Sequence, residues 1–118
     1  MNSETGPFKL QLFPLNHYKG IDQGDPIRFY FWPVLGSLYR RRVELCLEEC
    51  EGGERILEVG FGSGLTFLNL SMCYDKIHGI DVNPLVDDVY KAFISEAIKT
   101  NLLRASVLEI PYSDNSFD

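Results

Sequence analysis

Cysteine is scarce in this chain: three in 118 residues, at Cys46, Cys50 and Cys73. The count is odd and no two form a C-x-x-C pair, so the spacing of a secreted disulfide framework is absent. His17 and His78 add no H-x-x-x-H pattern, and no metal site is expected. Cys46 and Cys50, one helical turn apart, read instead as small buried hydrophobes on a helix face. Basic residues are also few: 11 Lys and Arg against 17 Asp and Glu give a formal net charge of -6. Nucleic-acid binding wants a basic face, so a phosphate backbone is not the expected partner. The one basic run, Arg40–Arg42, is followed by Glu44, Glu48, Glu49 and Glu51. It reads as a solvated helix face with i,i+4 pairs such as Arg40–Glu44. Long hydrophobic runs are missing as well. None approaches the roughly 20 residues of a membrane span, and the N-terminus lacks the basic and apolar regions of a signal peptide. The expected compartment is a reducing cytoplasm.

What remains is ordinary globular material, 45% hydrophobic and 24% charged, in a length that suits one domain with one modest core. Residues 1–34 read as an irregular arm punctuated by Gly6, Pro7, Pro14, Gly20 and Gly24, with an aromatic segment, "PIRFYFWPVLGSLY", from Pro26 into a helix. Trp32 and its neighbours are expected to pack under a sheet. Leu35, Tyr39, Val43, Cys46 and Cys50 recur at helical spacing and predict a helix from Leu35 to Glu51, ended by Gly52-Gly53. Arg55–Val59 predicts a strand, near-continuously apolar and therefore buried on both faces. Leu65–Tyr74 predicts a helix, and Lys76–Val82 a second strand in which His78 is a core histidine. Asn83-Pro84 predicts an N-cap and first helical position. Val86, Val89, Phe93 and Ala97 carry the stripe of that helix, and Asn101 is placed to end it. Leu102–Ile110 predicts a third strand. Strands alternating with helices imply a doubly wound α/β domain with a parallel sheet and right-handed crossovers, here over residues 35–118.

The most informative stretch is "ILEVGFGSGLTFL", Ile56–Leu68. Glycine inside a regular element costs roughly 0.5–1 kcal/mol relative to alanine, and three fall at alternate positions. In a doubly wound fold this loop lies beyond the carboxyl end of the first strand, where ligands bind. Missing Cβ atoms let a ligand approach the main chain, above all at Gly62, and the helix that follows offers free N–H groups. Asp81 ends the next strand, where a carboxylate can accept both hydroxyls of a ribose. The pattern Gly60-x-Gly62-x-Gly64 departs from the dinucleotide fingerprint G-x-G-x-x-G, whose third glycine comes one position later. Glu58, two residues before the loop, would repel a pyrophosphate and favours a ligand with a cationic or zwitterionic end. The loop therefore suits a cofactor carrying an amino acid.

"ILEVGFGSGL", then "IHGIDVNP", then "VLEIPYSDNSFD" resembles the class I S-adenosylmethionine-dependent methyltransferases, especially the small-molecule and lipid-modifying branch, over Arg55–Asp118. The resemblance implies a Rossmann-like domain. It implies that Glu58, Gly60, Gly62 and Gly64 line the methionine end of S-adenosylmethionine, with Phe61 in the same loop although its ring reads as packing. It implies that Asp81 holds the ribose, that Val82 packs on the adenine and that Val107 and Leu108 flank its other side. Ser106 stands where the family often has an acidic residue and would make a weaker contact to the adenine amino group. No catalytic base is identified. A nicotinamide-dependent oxidoreductase and a non-catalytic cofactor-binding or interaction module are the alternative readings. In the family the fourth strand begins at about "SFD" and pairs with the first, so the pattern is truncated before strand four. Ile56–Val59 is then expected to be an open edge. These 118 residues alone are expected to be inactive, and either to be part of a longer protein or to cover that edge by self-association.

Overall fold

The computed structural model describes residues 8–118; the first seven residues of the expected arm lie outside them. Three parallel strands, β1 (Gly53–Val59), β2 (Tyr74–Asp81) and β3 (Thr100–Arg104), form a sheet in the order β1-β2-β3. The register sets Arg55 beside Lys76, Val59 beside Ile80 and Asp81 beside Arg104. The fold class is the α/β parallel architecture expected. The buried strand, however, is β2, where Ile77, His78, Gly79 and Ile80 are all buried. β1 is half-buried along Arg55–Glu58 and its Val59 is 48% exposed, so the reading of burial on both faces is corrected. Only the central strand of three has neighbours on both sides. β1 also starts two residues earlier than expected, and β3 ends well before Ile110. After Arg104, Ala105 N donates to Asp81 O and a 3-10 turn follows at Val107–Glu109.

The helices are shorter than the periodicities suggest. Helix α1 covers Leu35–Leu47 rather than extending to Glu51. Its core face is Gly36, Tyr39, Val43 and Leu47, with Cys50 packed just beyond. Cys46 is exposed, so it is not the buried hydrophobe expected; Leu47, one position on, takes that place. The expected Arg40–Glu44 pair is replaced by Arg41, which bridges Glu48 at 2.9 Å and Glu44 at 3.5 Å. Arg40 donates to Tyr30 O instead, and Glu44 accepts the Leu10 N–H at 2.7 Å. The second helix is a single turn, α2 (Phe67–Leu70), because the chain must already be extended at Tyr74 to enter β2. Helix α3 covers Val86–Ser95. Asn83 does not cap it: its Oδ1 accepts the Leu85 N–H in a turn one step upstream. Its end is closed by Ala97 in the left-handed region (φ 63°), with Ile98 N donating to Phe93 O. This is the usual αL termination of a helix; Asn101, expected to end the helix, lies in β3.

The arm is part of the core. Leu10, Tyr18, Ile21, Ile27 and Tyr30 are buried with Phe61, Phe67, Val89 and Phe93 in one cluster. Residues Leu15–Tyr18 and Ile27–Phe31 form 3-10 turns. Gln11 and the buried Asn69 exchange two hydrogen bonds of 2.8 Å, tying the arm to α2. Trp32 is the exception: it is half exposed on the surface with its ring edge against Phe29, not under the sheet. The other face of the sheet meets the aromatic residues of the C-terminal stretch. There Tyr112 and Phe117 pack on His78, and the Tyr112 hydroxyl lies 3.1 Å from His78 Nδ1. Asp118 reaches the outer edge of β1, where its N–H donates to Arg55 O and its carboxylate accepts the N–H groups of Glu54 and Arg55.

Candidate functional site

The glycine loop leaves β1 at Val59, with Gly60 N still donating to Ile80 O at 2.8 Å. Gly60, Gly62 and Gly64 all have positive φ, at 75°, 54° and 77°. That backbone region strains other residues, but the three differ in what surrounds them. A Cβ on Gly60 would meet nothing within 4 Å. One on Gly64 would fall 2.6 Å from the Phe67 ring and 2.8 Å from Phe93, so that glycine admits the core. One on Gly62 would fall 2.6 Å from Asp25 Oδ2. In the structure a carboxylate of the arm, Asp25, fills the space beside Gly62. Phe61, 3% exposed, turns inward and packs on Gly79 and Phe67, as its packing role suggested.

Three carboxylates surround the loop. Asp81, at the end of β2, accepts the Gly62 N–H at 2.7 Å through Oδ2 and the Asn83 N–H at 2.9 Å through Oδ1. Asp25 accepts the Ser63 N–H at 2.8 Å. Glu58, near the end of β1, accepts a hydrogen bond from the Thr66 hydroxyl at 2.5 Å. Burial pushes the Glu58 carboxyl up to about 7, with the Thr66 bond opposing and the charges of Asp25 and Asp81 adding. Three carboxylates thus share the loop, and the charges of Asp25 and Asp81 bear on Glu58.

Beside the carboxylates stands an apolar rim. Val82, Val107 and Leu108 are exposed, Leu108 at 93%. Ala105 N bonds Asp81 O and Arg104 Nε bonds Val82 O, which brings the chain leading to Val107 and Leu108 past the end of β2. Ser106, expected within a strand, instead begins the turn after β3, where its hydroxyl accepts the Leu108 N–H at 3.1 Å. Glu58, the loop, Asp81, Val82 and residues 106–108 therefore gather at the carboxyl end of the sheet. A groove of about 870 Å³ lies elsewhere, between residues 8–12 and α1, and holds none of these residues. Asp25 and Thr66 are the site residues that sequence reasoning missed. Thr66 sits eight positions after Glu58 on the one turn that faces back to it. Asp25 lies in a Gly-Asp-Pro turn, with no local pattern pointing to a loop 38 residues away.

A parallel sheet with a glycine loop after its first strand and an acidic residue closing the next is an α/β arrangement of the kind in which ligands bind beyond the carboxyl ends of the strands. Residues 57–118 match the family model described as a methyltransferase domain, and the chain belongs to that family. Among solved structures it is similar to the YcgJ protein from Bacillus subtilis, with a TM-score of 0.56 and 23% identity over 65% of this chain. That likeness concerns the fold. The chain spans 34% of the YcgJ chain's length. No curated protein matches it.

Proposed function

We propose that this chain carries the S-adenosylmethionine site of a methyltransferase acting on a small molecule or lipid. The observation that carries the reading is Asp81. Its carboxylate ends β2 and grips the glycine loop through Gly62, while each oxygen keeps a further acceptor position for a ribose diol. The rest of the site fits such a ligand. The Cβ direction of Gly60 is open. Val82, Val107 and Leu108 offer apolar surface for a purine. Glu58, Asp25 and Asp81 suit a cationic amino-acid end and oppose a pyrophosphate, which disfavours a nicotinamide dinucleotide. S-adenosylmethionine, when bound, supplies an electrophilic methyl group on a positive sulfur. The chain's own task is then to bind and orient, the contribution that proximity makes to a displacement. The three cysteines are free thiols, which supports a reducing compartment such as the cytoplasm. Among the described residues no helix is long and apolar enough to cross a membrane.

Calorimetric titration of the 118-residue chain with S-adenosylhomocysteine and with NAD tests this. The first is expected to bind and the second not; the reverse would overturn the reading. Asp81→Ala is expected to weaken S-adenosylhomocysteine binding about tenfold to a hundredfold, the equivalent of roughly 1.5–3 kcal/mol for hydrogen bonds to a charged group.

A further inference from the structure

The register of the sheet gathers basic side chains on one face. Arg55 stands beside Lys76. Thr100 stands beside Ile77, so Lys99, directly before β3, comes level with Lys76. Each strand thus brings one cation to the same level, toward the amino ends of the strands and away from the glycine loop. Alternation along β2 puts His78 on that face as well. Like charges directly opposite one another weaken a sheet, and among the described residues none of Arg55, Lys76 and Lys99 makes a salt bridge.

Arg55, Lys76, His78 and Lys99 line a pocket of about 390 Å³ with Asn101 and Asp75. His78 is 8% exposed. Its Nδ1 is turned to the Tyr112 hydroxyl at 3.1 Å, and Tyr112 borders a neighbouring hollow and not this pocket. Across the ring, Nε2 is buried without a partner, and so is Arg55 Nε. With the Tyr112 hydroxyl donating to Nδ1, the proton of the neutral ring sits on Nε2, which is then a donor. Buried polar groups are ordinarily paired, so two unpaired nitrogens on the lining of one pocket point to an acceptor that belongs there. Three cations face the single carboxylate of Asp75 in this lining. The Asp118 carboxylate is taken up by the N–H groups of Glu54 and Arg55. The excess of positive charge matches a dianion.

We propose that this pocket is a binding site for a phosphate-type dianion, held by Arg55, Lys76, Lys99 and the Nε2–H of His78. The proposal stands independently of the S-adenosylmethionine reading, whose residues lie at the opposite end of the strands.

The test is an NMR titration of the 118-residue chain with inorganic phosphate, with chloride at equal ionic strength as the control. His17 and His78 are the two histidines, so the ring signals are few. Burial, then the charges of Arg55 and Lys76, hold the His78 imidazole below its ordinary range, and a bound dianion opposes the effect of those charges. Phosphate is expected to shift the His78 signals saturably and to raise the pKa of that ring, with His17 unmoved and chloride without effect. Lys76→Gln and Lys99→Gln replace exposed side chains. Each is expected to weaken phosphate binding about fivefold, the scale of one unit charge a few ångströms away in water. Lys91→Gln, on α3, is expected to change nothing. Tighter binding of glycerol phosphate than of inorganic phosphate would assign the site to a phosphate monoester, and equal or weaker binding to the free ion. A drift of both histidines without saturation, the same response to chloride, or full affinity in both Lys76→Gln and Lys99→Gln would overturn the proposal. Thermal melts of the three variants separate loss of fold from loss of binding.

Discussion

The glycine loop and the N-terminal arm touch through the Asp25–Ser63 hydrogen bond, yet their sequences relate to their structures in opposite ways. The loop is built from neighbours. Its glycines sit at positive φ where the chain turns from β1 into α2, and its acidic partner Asp81 comes at the end of the next strand. The arm is built from distant contacts. Leu10 bonds Glu44, Gln11 bonds Asn69, and Tyr18 is buried in the cluster that holds Phe67 and Phe93. A local backbone requirement shows in composition, whereas a long-range contact leaves only apolar residues without a period. Punctuation by Gly and Pro reads as an irregular arm, and irregular backbone can fill a core as well as a helix does.

The sharpest way to break this comparison is to cut into the arm's share of the core. Tyr18 is 0% exposed, and burial pushes its phenol up to about 12. Tyr18→Ala is expected to cost roughly 3–5 kcal/mol, the range for truncating a large buried aromatic side chain. Urea unfolding measures it. A loss under about 0.5 kcal/mol, ordinary for a surface site, would show that the arm contributes little to the core.

The same division explains which parts of the fold could be read. Strand and helix order, the loop and Asp81 all follow from short patterns. Boundaries fail where tertiary geometry overrides periodicity. The stripe through Cys46 ignored that Leu47 faces the arm's core, and the run Leu65–Tyr74 reads as helix because apolar residues alone do not say where β2 must begin. β1 looked buried because its apolarity was read without its place at one side of the sheet. Around the loop, Glu58 and Asp81 stand out in short patterns, whereas Thr66 and Asp25 do not. Thr66 matters only because its turn faces back to Glu58, and the role of Asp25 depends on how a Gly-Asp-Pro turn packs across the loop.

A second measurement sharpens the electrostatic side of the loop. Burial pushes the Glu58 carboxyl up from its ordinary 4.5 to about 7. Below the unfolded value both states hold the proton and the group costs nothing. Between about 4.5 and 7 the unfolded chain releases its proton while the folded one keeps it, so stability falls as pH rises. Above about 7 the penalty is complete, at most roughly 3 kcal/mol. Glu58→Gln retains an oxygen for the Thr66 hydroxyl and is expected to abolish this fall. Denaturant titrations at pH 5 and pH 8 on both proteins check it. Affinity for a cationic ligand should move the other way in the wild-type chain, tightening as Glu58 ionises through pH 7, and lose that dependence in the variant. A wild-type stability that is flat across this window would mean that Glu58 is ionised throughout.

The smallest expected effect on stability separates a fold-imposed glycine from a ligand-imposed one. Gly60 and Gly62 both lie at positive φ, so alanine at either incurs a backbone penalty of about 1–2 kcal/mol. At Gly62 the new methyl also meets Asp25 at 2.6 Å and must expel it, so part of the arm's anchorage goes with it. At Gly60 the methyl enters open space. Gly60→Ala is therefore expected to cost only the backbone term, about 1–2 kcal/mol, with Asp25 still on Ser63. If a ligand passes close to the main chain at the end of β1, the same variant will lose affinity for S-adenosylhomocysteine by more than its small stability loss explains. Thermal melts and titrations on the two alanine variants decide the matter. A Gly60→Ala protein that binds as well as wild type would show that the ligand keeps clear of this residue, and that the loop's glycines serve the turn, the core and the arm alone.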